Sequence, residues 1–221
     1  MIRIIPKSMK QLLKENRWFF IPTLIFLLIA AILLIIYSKT ELHILSNEAN
    51  SPFFDSFFKY ATFLGDGTAI AVLFIILLFV KYRNALAFLA GSLTTSLFVN
   101  IIKKVILHDM YRPSKYFELY ETYQLHFVEG VKLLSLQSFP SGHTATSFNL
   151  FLTLALLTKN NGLKLFLFFM ALLVAYSRVY LSQHFLIDIT AGSVVGILFT
   201  LLFWVWFDTF NKNWLDKSVL K

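Results

Sequence analysis

Apolar side chains in this chain come in long runs, and short polar or basic stretches separate them. A run of roughly 20 apolar residues is enough to cross the hydrocarbon core of a bilayer. On that measure the pattern predicts six membrane-spanning helices, at residues 18–37, 67–80, 84–107, 143–158, 163–181 and 185–207. The second is short unless residues ahead of Gly65 join it, and Asp66 stands where a helix cap is expected. Between the first two spans lies SPFFDSFFKYATF, whose phenylalanine clusters suit the membrane interface. A long loop, residues 108–139, joins the third and fourth spans. Within it, apolar runs on either side of Glu129-Gly130 form the pattern of a β-hairpin with a glycine turn, close enough to the fourth span to act as a lid. The expected fold is an all-α integral membrane bundle of six transmembrane helices, a single domain over residues 1–221 without internal repeats.

Composition strengthens the membrane reading. Charged residues make up 14% of the 221, and hydrophobic ones 57%, where a soluble domain carries about 25% charged residues. The net charge of +8 is then read as Lys and Arg flanking the spans, and no nucleic-acid partner is expected. One side of the spans holds Lys10, Lys14, Arg17, Lys81, Arg83, Lys159, Lys164, Lys212 and Lys217, together with Arg3, Lys7 and Lys221. The connection between the first two spans offers only Lys39 and Lys59, against Glu41, Glu48, Asp55 and Asp66. Positive residues stay inside. Both termini are therefore expected in the cytoplasm, the first as a basic anchor and not a removed signal peptide. The long loop and the junction near residue 182 then share the outer face. Cysteine is absent, which excludes disulfides and thiolate metal sites.

Three polar clusters fall on that outer face. Pro140-Ser141-Gly142-His143 leads into the fourth span. Proline is tolerated at a helix start, Ser141 can cap, and Gly142 lets a ligand approach the backbone. The free N–H groups and the positive dipole end there favour an anion such as phosphate. A plain helix cap with a histidine in the first turn uses the same residues. In the second cluster His184 and Asp188 are four apart, on one helix face. A carboxylate there can hold one imidazole nitrogen and leave the other free to attack. Arg178 adds a fork suited to phosphate oxygens. A structural ion pair is the alternative, but charges within spans are costly and usually functional. The third cluster is Lys103-Lys104 with Arg112-Pro113.

Together these residues resemble the three-part signature of the type-2 phosphatidic acid phosphatase and haloperoxidase superfamily: K-x6-R-P, P-S-G-H and S-R-x5-H-x3-D. Parts two and three match at every fixed position, with 33 residues between His143 and Ser177. The resemblance covers the third to the sixth span, its signature residues 103–188. It implies a membrane phosphatase for a lipid phosphate monoester or diphosphate, of the undecaprenyl diphosphate, phosphatidylglycerophosphate, lipid A or phosphatidate type, in a bacterial inner membrane. His184 would attack phosphorus, oriented by Asp188, to give a phosphohistidine. His143 would protonate the leaving oxygen and then activate water. Arg112, Arg178, Ser141, the Gly142 backbone and Lys103 or Lys104 would hold the phosphate oxygens, with no metal and no cofactor. A vanadate-dependent haloperoxidase shares the constellation, although such enzymes are largely soluble. A non-catalytic lipid binder or transporter on the same bundle is the third reading, although loss of a histidine would be expected there.

The first part departs from the pattern, with eight residues between Lys103 and Arg112, or seven from Lys104. At about 100° per residue, Ser92, Ser96 and Lys103 fall within about 40° of one another. This polar stripe is expected to face the bundle, because lipid offers hydroxyls no partner. Lys103 is thereby expected at the phosphate and Lys104 snorkelling at the interface. The extra residues are expected to be absorbed around His108-Asp109.

Overall fold

The structure, a computed structural model, describes residues 8–220, so Arg3, Lys7 and Lys221 lie outside it. In chain order its helices are α1 (Met9–Glu15), α2 (Arg17–Ile36), α3 (Lys39–Glu48), α4 (Pro52–Ala61), α5 (Gly67–Val80), α6 (Tyr82–Ile101), α7 (Pro113–Tyr120), α8 (Gly142–Leu157), α9 (Asn161–Tyr180) and α10 (Leu186–Thr209). A 3-10 turn, Thr62–Gly65, links α4 to α5, and a π-helical turn, Ile102–Ile106, prolongs α6. No strand forms among the described residues.

A helix thus lies at each of the six expected stretches. Four of them are long and apolar enough to cross a bilayer: α2, α6 with its π turn, α9 and α10. A fifth crossing results if the segment Pro52–Gly65 counts with α5, to which it is bent by 52°. Residues ahead of Gly65 do join the short second stretch, but at an angle. Phe53, Phe54 and Phe57 on α4 remain exposed. The helix at the fourth stretch, α8, has 16 residues and sits in the middle, against α6, α9 and α10. Apart from a few short polar side chains this helix is apolar round its circumference, as suits the inside of a bundle. Phe148, Leu152 and Ala155 accordingly vanish into a core with Phe19, Phe88, Phe168 and Val174.

Polar side chains on α8 fasten it in place. Ser92 on α6 donates to Asn149 Oδ1 (2.6 Å), and Asn149 Nδ2 donates to Thr200 on α10 (2.8 Å). Away from water, interhelical hydrogen bonds and small residues replace the hydrophobic effect as the source of helix association. The small residues are Gly192 and Gly196, where an added Cβ would meet the carbonyl oxygens of Ser141 and Ala145. Backbone on backbone, α10 fixes the start of α8.

The opposite end of the bundle carries basic residues. Arg83, at the start of α6, reaches the carbonyls of Phe207 and Phe210 and makes a two-pronged contact with Asp216 (both 3.0 Å). Lys81 joins Asp216 at 2.8 Å, and Lys164 at the start of α9 donates to the carbonyl of Glu15.

The long loop contains the expected turn but not the expected hairpin. Gly130 has φ +73°, where L side chains are strained, and Val131 N–H returns to the Val128 carbonyl. The flanks find other partners. Val128 packs on Phe58, Tyr180 and Leu181, and Leu125 on Phe117 and Phe185. The His126 N–H goes to Asn47 Oδ1 (2.8 Å), and Lys59 takes the Glu129 carbonyl (2.7 Å). With their side chains and backbone groups claimed by neighbouring helices, the two runs have no reason to pair with each other.

Candidate active site

The site is built at the end of the bundle away from Arg83, from six segments that meet around the start of α8. Ser141 caps that helix, its Oγ accepting from Thr144 N–H (3.4 Å) and Thr144 Oγ1 (2.9 Å). Its own N–H donates to the Asp188 carbonyl (2.9 Å). Both of these side-chain bonds use the Ser141 oxygen as acceptor, so its hydroxyl proton is still available to donate. Gly142 next to it is roomy: an added Cβ would meet only Val99, at 3.7 Å. The protein's own packing does not demand glycine there.

His184 and Asp188 pair as their spacing suggests. His184 sits in the link between α9 and α10 and is 1% exposed. Its Nδ1 lies 3.2 Å from Asp188 Oδ2, which also accepts from the Phe185 N–H (3.0 Å) and the Ser138 hydroxyl. Nδ1 therefore carries the proton, and Nε2 presents its lone pair toward Arg112 Nη1, at 3.4 Å. Burial, then the charges of Arg112, Lys103 and Arg178, holds His184 well below the usual imidazole pKa. It is neutral at physiological pH, the state a nucleophile needs.

Three cations surround the pair. Arg112 precedes Pro113 and is held by the carbonyls of Leu136 (3.0 Å) and Gln183 (3.1 Å). Lys103 donates to the Gln137 carbonyl (2.9 Å), which Arg112 Nη2 approaches at 3.5 Å. Gln137 has φ 60°, a left-handed conformation rare outside glycine. That twist accompanies a carbonyl aimed between two cations. Arg178, near the end of α9, donates from Nη1 to Thr62 (2.7 Å), while its Nε is buried without a protein partner. All three cations lie close enough to His143 and His184 to act on the charge of both.

Lys104 is exposed and makes no such contact. The structure turns Lys103 and not Lys104 toward Arg112, though not by the helix face expected. Ser96 is exposed, and the buried face of α6 runs through Ser92, Thr95 and Val99. One of the two extra residues is taken up inside the helix, ahead of His108-Asp109. In the π turn, Leu107 N–H reaches back five residues to the Ile102 carbonyl (2.7 Å).

Asp66 was expected to cap α5 and does not; its carboxylate makes no capping bond. It stands 2.6 Å from Nε2 of His143 instead. Gly65 makes the approach possible, since an added Cβ would lie 2.9 Å from the His143 carbonyl and 2.8 Å from Val174. The doublet of glycines around Asp66 was the only sign of this in the sequence. Thr62, Ser138 and Gln183 carried no sign at all, because each reaches the site through tertiary contacts. Close by, His43 donates or accepts at Ser182 (3.1 Å) between the rings of Phe117 and Phe185, and burial lowers its pKa to about 4. Among the described residues no three His, Asp or Glu side chains are grouped to hold a metal ion.

A helical membrane bundle with two histidine–carboxylate pairs facing three cations defines an anion-handling membrane protein. The model of the PAP2 superfamily matches residues 84–212, more than half of the chain. The chain belongs to that superfamily, in its branch of membrane lipid phosphatases. A lipid A 4'-phosphatase of Bacteroides thetaiotaomicron is 28% identical over 166 residues, 71% of each chain. The crystal structure of Aquifex aeolicus LpxE superposes with TM-score 0.65 at 26% identity, covering 74% of this chain and 93% of that one. A phosphatidylglycerolphosphate phosphatase from Bacillus subtilis shares the fold, with TM-score 0.59 at 23% identity, covering 86% and 94%.

Proposed function

We propose that this phosphatase hydrolyses a lipid phosphate monoester or diphosphate, of the lipid A, undecaprenyl diphosphate, phosphatidylglycerophosphate or phosphatidate type. The observation that carries the reading is the buried His184–Asp188 pair, whose Nε2 lies 3.4 Å from Arg112 Nη1, with Lys103 held beside that arginine on the Gln137 carbonyl. His184 Nε2 forms a bond to phosphorus as the P–O bond to the lipid breaks. The lipid oxygen keeps the electron pair and takes a proton from His143. A water molecule, losing its proton to His143, then attacks the phosphohistidine, and the N–P electron pair returns to Nε2. Lys103, Arg112 and Arg178 neutralise the oxygens as charge spreads over them, the main contribution proteins make to phosphoryl transfer. The Ser141 hydroxyl, whose proton the helix cap does not use, and the N–H groups that follow it at the helix start are further donors in this reading. Cations in these positions can do the neutralising without a metal. The similarity to the lipid A 4'-phosphatase supports a lipid substrate.

The same reading takes residues 1–221 as one unit with six spans, the bent α4–α5 segment being the second and the buried α8 the fourth. The clustering of Lys81, Arg83 and Lys164 at the end opposite the site supports cytoplasmic termini and an outer-face site in a bacterial inner membrane. Phosphate release by the purified chain from a panel of those four lipids tests the function. Release from at least one, insensitive to chelator and lost in His184→Ala, is expected. Turnover retained by a well-folded His184→Ala would falsify the mechanism.

A further inference from the structure

The 3-10 turn between α4 and α5 lies outside the signature, yet it touches both halves of the site. Thr62 accepts from Arg178, Gly65 presses on the backbone of His143, and Asp66 puts a carboxylate oxygen 2.6 Å from His143 Nε2. The two side chains of that pair are about one-third exposed, so it borders the solvent-reachable space and not the deep core. We propose that Asp66 is a positioning residue that acts through His143, holding its Nε2–H so that Nδ1 exchanges the proton with substrate. This rests on the acid–base role given to His143 above.

The charges around His143 explain why such a partner is needed. His143 is largely buried, and the charges of Arg178 at the end of α9, Lys103 in the π turn and Arg112 in the link before α7 reach it, as does the imidazole of His184 in the α9–α10 link. Like charges disfavour the imidazolium that an acid must be before it acts. Asp188 is committed to His184, Ser138 and Phe185. Among the described residues Asp66 is the carboxylate that touches His143. The proposed roles are parallel, one carboxylate hydrogen-bonded to His184 and the other in close ion-pair contact with His143. Asp188 takes Nδ1–H of His184 and frees Nε2 for phosphorus; Asp66 takes Nε2–H of His143 and frees Nδ1 for protons. When the lipid P–O bond breaks, the Nδ1 proton passes to the departing oxygen, and neutral His143 keeps its Nε2–H on Asp66. The lone pair left on Nδ1 accepts the proton of the attacking water, which restores the imidazolium.

A leaving group's need for acid separates this role from a merely structural one. An alkyl lipid phosphate requires protonation of its leaving oxygen; 4-nitrophenyl phosphate, whose leaving group is a stable anion, does not. The purified full chain, Asp66→Asn, His143→Asn and the double variant are compared on phosphatidate in mixed micelles and on 4-nitrophenyl phosphate, with melting temperatures as a folding control. Positioned acid–base groups contribute about 10²–10⁴-fold. Asp66→Asn should lose about 10²-fold in kcat/KM on the lipid and tenfold or less on the aryl ester. The alkaline limb of its pH profile should move to lower pH, since the imidazolium loses its counter-charge. The double variant should be no slower than His143→Asn alone. Equal losses on both substrates, or losses that multiply in the double variant, would overturn the assignment. So would an Asp66→Asn variant at least as fast as wild type, which would make the carboxylate a competitor for the anion site. If His143→Asn itself shows no leaving-group dependence, the acid role of His143 falls first, and this inference with it.

Discussion

Adding one methyl group at Gly192 should disable the site from behind. The ideal Cβ position lies 2.5 Å from the Ser141 carbonyl oxygen, 3.2 Å from Thr144 Cβ and 3.4 Å from Ala145 N. Ordinary contact begins near 3.4 Å, so the first of these is about 0.9 Å too close. The obstacle is backbone, which has no rotamer to yield. Ser141 is also tied to α10 one turn earlier by its N–H bond to the Asp188 carbonyl. Gly192→Ala must therefore tilt the start of α8 away from the His184–Asp188 pair or stretch that bond. Overpacking of this kind costs about 1–3 kcal/mol of stability. Misplacement of reacting groups by about 1 Å costs on the order of 10²-fold in rate. The expected result is a folded variant whose kcat/KM on a lipid phosphate falls about 10²-fold. Gly67→Ala is the control, since nothing lies within 4 Å of a Cβ there. Phosphate release and thermal unfolding in detergent measure the two effects separately. A folded Gly192→Ala with more than half the wild-type turnover would refute the claim that α10 sets the register of α8.

Two further outcomes are expected. Lys103→Ala should cut turnover far more than Lys104→Ala, because Lys103 reaches the Gln137 carbonyl beside Arg112 while Lys104 is exposed; the reverse order would mean that the π turn is wound differently. At the other end of the bundle, hydrogen bonds from Arg83, then those from Lys81, hold the Asp216 pKa at about 2, below its usual 3.8. Its contribution to stability is thus fully present above the usual carboxylate range and is lost as pH falls toward about 2. The difference in unfolding temperature between wild type and Asp216→Asn should shrink over that window, and a difference independent of pH would contradict the linkage.

Which residues gather at the site was largely readable from their order and spacing. Pro140 to His143, Ser177-Arg178, His184 and Asp188 lie on helix starts and links whose local rules are strong. The four-residue spacing pointed to the His184–Asp188 pair, although His184 lies in the link ahead of α10 and not on that helix's face. What was not readable depends on contacts between distant segments. Asp66 looks like a cap until α8 is placed 77 residues later, and Ser138 looks like loop until its hydroxyl is found on Asp188. Ser96 was misjudged because a hydroxyl can satisfy itself within its own helix, here by pairing with Asn100. The hairpin pattern around Gly130 was right about the turn and wrong about the strands. Periodicity describes what a segment could pair with, and Phe58, Tyr180 and Asn47 made better offers.

The π turn changes what a spacing rule means. Four residues separate successive positions on one face of an α-helix, and five do so across a π turn. Whether six, seven or eight residues stand between a lysine and Arg112-Pro113 is therefore a question of local winding and not of ligand geometry. A chain can gain a residue in Ile102–Ile106 by widening one turn, while Ser92 upstream keeps its hold on Asn149 and Lys103 keeps its carbonyl. A residue gained at this point need not move either neighbour, so the count of residues between lysine and arginine does not by itself fix where the cation sits.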